Sequence, residues 1–323
     1  MRCFKLLLMG GIVLALSMPA LGITFNQPWN GPLVMHVTNW DMGTIWTGVP
    51  GTYCPATVPP LGRIAPPGAI GGEDGWGLVR IDTIHKGMAT GPNTIIMDPV
   101  DPAPLWVHGQ DGRELAGIFW GLTDVNVQIG AASFTTESVG MQFEIWDQPV
   151  TSFNGGVPGS AGRSLVNPNQ YLTVGTPGGV VGASLWVSGA SSPGFVGALC
   201  PMGPDVEFVS TFNPNLAVGK LAGSANVYFD LTGGDWGPLP TPTGMTMDTN
   251  FFQGTDIAGN PEDADWYLQI TAYSNNPANV PGGFDWTATS SDPITTEVIP
   301  EPITMAGMLL GIGCLGRYVR RRR

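Results

Sequence analysis

Carboxylates are the most numerous groups in this sequence able to do chemistry, and their spacing points first to a cation. Asp256, Asn260, Glu262, Asp263 and Asp265 set five oxygen-bearing side chains in one short stretch. Calcium takes roughly six to eight such oxygens, often from a turn. The donor order is not that of an EF-hand, so a solvated acidic loop is the plain alternative. A paired-carboxylate mechanism of the glycosidase type has 25 acidic residues to draw on, and spacing singles out no two of them. His36, His85 and His108 show neither H-x-H nor H-x-x-x-H spacing and give no zinc signature. No G-x-S-x-G elbow, phosphate-cradling glycine loop or dinucleotide fingerprint occurs, so no organic cofactor is implied. Eleven tryptophans, from Trp29 to Trp286, offer flat rings that could stack on an exopolysaccharide, although core packing is their commoner use.

The elements that must position these groups read as strands. In residues 225–231, Ala225, Val227, Phe229 and Leu231 face one way and Asn226, Tyr228 and Asp230 the other. Met141, Phe143 and Ile145 oppose Gln142, Glu144 and Trp146, and Trp266, Leu268, Ile270 and Ala272 oppose Tyr267, Gln269, Thr271 and Tyr273. The same alternation predicts Val125, Val127 and Ile129 inward and Asp124, Asn126 and Gln128 outward. Further strands are expected over residues 78–85, 94–97, 115–122, 183–188, 206–212 and 284–290. One apolar and one wet face is the pattern of antiparallel sheets. The expected fold is therefore all-β: an antiparallel β-sandwich or open barrel over residues 23–296. One domain is expected, with a split near Pro149 as the alternative. Gly and Pro are abundant, at 47 and 30 residues, but 13 Phe, 6 Tyr and 11 Trp supply enough apolar surface to offset the ordering entropy.

Charge separates the ends from the middle. Between Ile23 and Pro302 six basic residues stand against all 25 acidic ones, a formal charge of −19. Such a surface repels phosphate backbones and excludes nucleic acid as a partner. At the start, Arg2 and Lys5 precede an apolar run from Leu6 to Leu16 and then Ser17-Met18-Pro19-Ala20-Leu21-Gly22. Small residues at Ala20 and Gly22 fit cleavage of a signal peptide (residues 1–22) between Gly22 and Ile23. With export comes an oxidising compartment. Cys3 leaves with the signal and Cys314 lies in the C-terminal apolar run, so Cys54 and Cys200 are the pair expected to form a disulfide.

At the other end, Pro300-Glu301-Pro302 (within a segment spanning 297–302) precedes an apolar run of residues 303–319, interrupted by Arg317, and then Arg320, Arg321, Arg322 and Arg323. At 1.5 Å per residue this run reaches about 25 Å, a short single transmembrane helix. The arginines belong on the cytoplasmic side, which places the ectodomain outside.

Pro300-Glu301-Pro302, the short Gly- and Leu-rich span and the arginine cluster, in that order at the extreme C-terminus, resemble the PEP-CTERM sorting signal. The resemblance covers about the last 25 residues. It implies recognition by an exosortase, a membrane cysteine transpeptidase, transient residence in the inner membrane, cleavage near the Pro-Glu-Pro motif, and delivery to the envelope, the cell surface or the extracellular matrix. Residues 114–122 and the Asp285-Trp286-Thr287 and Ser290-Ser291-Asp292-Pro293 segments are similar to ectodomains that carry such tails, which bears on fold and location only. The leading expectation is a non-enzymatic surface or matrix protein. A surface carbohydrate-binding module and an extracellular hydrolase are the alternatives, and a retained single-span anchor is the alternative to sorting.

Overall fold

The computed structural model describes residues 22–46, 49–55, 63–66, 68–150, 181–196, 205–215, 220–238, 244–274 and 288–300. The strands in chain order are β1 (Gly31–Gly43), β2 (Ile45–Trp46), β3 (Thr52–Pro55), β4 (Arg63–Ile64), β5 (Gly75–Gly91) and β6 (Thr94–Met97). They continue with β7 (Pro104–Val107), β8 (Arg113–Ile129), β9 (Phe134–Val139), β10 (Gln142–Pro149), β11 (Ser184–Ser191) and β12 (Phe208–Asn215). The last six are β13 (Lys220–Gly233), β14 (Met245–Thr246), β15 (Phe252–Thr255), β16 (Pro261–Ala264), β17 (Trp266–Ser274) and β18 (Ala288–Pro300). All pairings are antiparallel. Among the described residues there is no α-helix and none long and apolar enough to cross a membrane. Residues 303–319 and the signal segment before Gly22 lie outside the described residues.

Where the sequence left a sandwich or an open barrel, the pairings close a ring. In order around it stand β1, β5, β8, β10, β11, β13, β17 and β18, and β18 pairs back onto β1. Closure removes the edges that a sheet would otherwise present. Strands on both sides of Pro149 take part in the ring. At the end where β1 and β8 finish, β9 and β12 continue the tracks of β10 and β11 and pair with each other.

Cross-strand partners share a face, so the register identifies the interior. Val37, Ile81 and Leu115 stand side by side, as do Phe229 and Trp266, and Met35 and Ile294. These belong to one core cluster reaching from Ile23 to Val298. The positions expected inward in residues 225–231, 141–145 and 266–270 are all buried there. Interior glycines let aromatic rings from neighbouring strands lie flat on the backbone. Phe119 covers Gly77, Phe143 covers Gly189 and Phe212 covers Gly223. The ring interior is thus packed with side chains.

Two departures from simple alternation have identifiable causes. In β8 the pairing with β9 shifts between Asp124 and Asn126, a β-bulge. The extra residue rotates the strand, so Asp124 and Asn126 are buried along with Val127 and Ile129, while Val125 is half-buried. Asp124 accepts from Ser138 Oγ at 2.6 Å, and Asn126 Nδ2 donates to Glu137 Oε2 at 2.8 Å. The outward assignment of those two residues is corrected accordingly. In β1, which the alternation did not reveal, Leu33, Val34 and Met35 are all buried. Val34 belongs to a second cluster with Ile95, Phe252 and Ala264 on the outside of the ring. A strand covered on both faces loses its period-two signature.

Candidate functional site

Four places concentrate chemistry, and the register fixes where each sits. The C-terminal motif begins where the ring ends. Pro300 is the last residue of β18, Met245 and Thr246 pair with Pro300 and Ile299, and Val298 is fully buried. Residues 297–300 of the expected motif segment are thus the last strand residues of the fold. Glu301, Pro302, Arg317 and Arg320 to Arg323 lie outside the described residues. Gly31 pairs with Val298, so the chain enters and leaves the ring at one end.

The expected calcium ligands divide between three local roles. Asp256 lies in the turn between β15 and β16, where its carboxylate accepts from the Asn260 backbone N–H and side-chain amide, each at 2.6 Å. Those bonds hold the Asp256 carboxyl below its usual range. Glu262 and Asp263 lie on β16. Asp265 is 1% exposed and accepts backbone N–H groups from Leu231, Thr249 and Asn250 at 2.7–2.9 Å, fixing the 246–250 segment onto β13. Burial pushes Asp265 up to about 6 despite those three donors, and burial likewise pushes Asp230 up to about 6. Among the described residues no group of three or more His, Cys, Asp or Glu side chains is arranged to hold a metal ion.

Inside the ring, toward the end where β1 finishes, lies a polar cluster that no spacing in the sequence revealed. Asn39 and Ser290 are cross-strand partners, with Asp292 opposite Val37 and Asp41 opposite Ala288. Ser290 Oγ donates to Asn39 Oδ1, Asn39 Nδ2 donates to Asp41 Oδ2 at 3.4 Å, and the Thr271 backbone N–H donates to Asp292 Oδ1 at 2.6 Å. Asp292 is fully buried. Burial, reinforced by the Asp292 charge, pushes Asp41 up to about 8, and burial raises Asp292 as well. Asp41 therefore holds a proton at neutral pH, as like carboxyls in a low-dielectric site do. Such a pair has the electrostatics of an acid–base couple, with Asp292 fully buried and Asp41 half-buried.

The fourth place is the opposite mouth, where β8 begins. Arg113 Nε donates to Asp147 Oδ1 at 2.6 Å, and Asp147 is fully buried. Residues 22–30 pass across this mouth. Ile23 is buried in the core, Phe25 meets Trp236 edge-on at 5.3 Å, the Asn26 N–H donates to Leu105 O, and Gln110 Nε2 donates to Thr24 O at 2.7 Å.

Of the aromatic residues, Trp76, Trp106, Trp186, Trp236 and Trp266 are buried and belong to the core clusters. Phe195, Tyr228 and Tyr267 stack on one another at 4.4 and 4.5 Å, so their faces are largely occupied by each other. His36 and His85 meet edge-on at 5.4 Å on the outside of the ring, and His108 lies 3.3 Å from Glu114. Cys54 lies on β3 opposite Val127; Cys200, and with it the expected disulfide, falls outside the described residues. Comparison with known protein families, with curated proteins and with solved structures finds no match.

Proposed function

We propose that this chain is an exported, non-enzymatic barrel protein delivered to the cell surface or extracellular matrix through its C-terminal Pro300-Glu301-Pro302 signal. The observation that supports this reading is the end of β18. The strand stays paired through Pro300, so the fold runs to the first residue of the motif and a cut just beyond it leaves every described strand intact. The entry of the chain at the same mouth, beside Val298, is consistent with a barrel that stands on the membrane by that end while its tail is processed. The partner is an exosortase-type transpeptidase, met transiently at the inner membrane. The test is the mass of the C-terminal peptide of the protein from its native host, with and without the transpeptidase. A terminus at residues 300–302 only when the enzyme is present supports sorting. A chain that keeps Arg323 in both strains refutes it and leaves a single-span anchor.

A further inference from the structure

A buried carboxylate at the mouth of the barrel is aimed at the bond that signal cleavage would break. Asp147 is fully buried and gives one oxygen, Oδ1, to Arg113. Its other oxygen, Oδ2, is buried and completes no hydrogen bond. A buried acceptor left this way keeps its desolvation penalty without a compensating bond, the more so when charged. What Oδ2 faces is the Gly22–Ile23 junction: a Cβ placed on Gly22 would lie 3.4 Å from it. The Ile23 backbone N–H points at the same carboxylate and lowers its pKa, though burial raises it more. Gly22 itself has φ +133°, a conformation that favours glycine. Ile23 cannot drift away, because its side chain is 8% exposed in the core and the following residues are tied to Gln110 and Leu105.

We infer that cleavage after Gly22 turns the Ile23 nitrogen into an ammonium that pairs with Asp147 Oδ2 inside the mouth, so that removal of the signal completes the fold. The inference rests on the export reading, since it requires that cut. Hydrolysis of the Gly22–Ile23 peptide bond adds one water, leaves the carboxylate on the departing Gly22 and gives the proton to the Ile23 amine. The chain with its signal still attached has an amide at this position and can supply only a neutral N–H. An ionised donor makes a hydrogen bond roughly twice as strong.

The experiment uses the processed protein from an exporting host, with its N-terminus read by mass spectrometry. Thermal midpoints are followed from pH 6 to 10 for this protein, for Asp147→Asn, and for a variant with one alanine inserted after Gly22. The insertion keeps Asp147 and Ile23 but moves the amine by about 3.5 Å. A free α-amine ordinarily titrates near 7.7–8.0, and a partner raises that value. The contribution is therefore present below about pH 8 and lost as pH rises toward 10. The wild-type midpoint is expected to fall over that window by more than that of either variant, whose remaining fall is the Asp41 part common to all three proteins. Cyanate should also carbamylate the Ile23 amine at least about tenfold more slowly in the folded protein than in urea, the effect of one unit or more of pKa. An N-terminus at Ile23 with identical pH courses for all three proteins and unprotected labelling overturns the ion pair and leaves the export reading intact. An N-terminus elsewhere overturns both.

Discussion

Replacing Asp41 by asparagine should flatten the stability of the barrel between pH 6 and 8. In the folded protein Asp41 titrates at about 8, against an ordinary 3.8, because burial and the Asp292 charge both oppose its ionisation. In the unfolded chain the same carboxyl is already ionised above pH 5. Between those values the folded state binds the extra proton, so the Asp41 contribution to stability is fully present below about pH 4 and is lost as pH rises through 8. Asp230 and Asp265, each at about 6, add to the fall only in its lower part. The window from pH 6 to 8 is then left chiefly to Asp41. At about 1.36 kcal/mol per pH unit, and with Asp41 half-titrated at pH 8, the loss is about 2.3 kcal/mol, or about 5–9 °C in melting temperature for a domain of this size. Asparagine keeps an acceptor for Asn39 Nδ2 and cannot ionise. Asp41→Asn and the wild type should therefore have similar midpoints at pH 5, and the variant should be the more stable at pH 8. Contributions from His36, whose pKa burial lowers, are common to both proteins and cancel in the difference. Calorimetric curves that run parallel from pH 6 to 8 would refute the account, because they would mean that Asp41 carries no proton in the folded state.

Two further outcomes follow from the packing. Gly189→Ala places a Cβ 2.5 Å from the Asp230 carbonyl oxygen and 2.6 Å from the Phe143 ring, and Phe143 is held by stacking on Trp266 at 5.3 Å. Overpacking of this kind should cost about 1–3 kcal/mol, read as a lower urea midpoint with an unchanged slope. Asp265→Ala leaves the N–H groups of Leu231, Thr249 and Asn250 without their acceptor. A loss of about 2–4 kcal/mol is expected, with faster amide exchange at those three positions; unchanged exchange would show that Asp265 does not hold the segment.

Much of the ring's wall was legible because period-two alternation is a local property. The inward faces of residues 141–145, 225–231 and 266–270 needed only the contrast between neighbours along the chain, and the structure buries each of them. Alternation misleads where a neighbour in space changes the rule. The bulge at Asp124 turned a strand by one residue, and the cover over Val34 hid β1 by making both its faces apolar. The acidic stretch was legible only as neighbours along the chain; the structure adds that Asp256 accepts from Asn260 within its own turn and that Asp265 holds backbone from two other segments.

Composition and order along the chain by themselves determined an antiparallel all-β protein with an acidic middle, and they marked Gly22–Ile23 and Pro300-Glu301-Pro302 as the places to look for processing. Only the tertiary structure decided that the sheet closes on itself. Closure depends on β1 meeting β18, and no local pattern records a contact across 251 residues such as that between Asn39 and Ser290. The same pairing creates the Asp41–Asp292 site, and the turn of the chain across the mouth brings Ile23 to Asp147. The ionisation of a carboxyl depends on what surrounds it in space; residue type supplies the group, and the fold supplies its pKa.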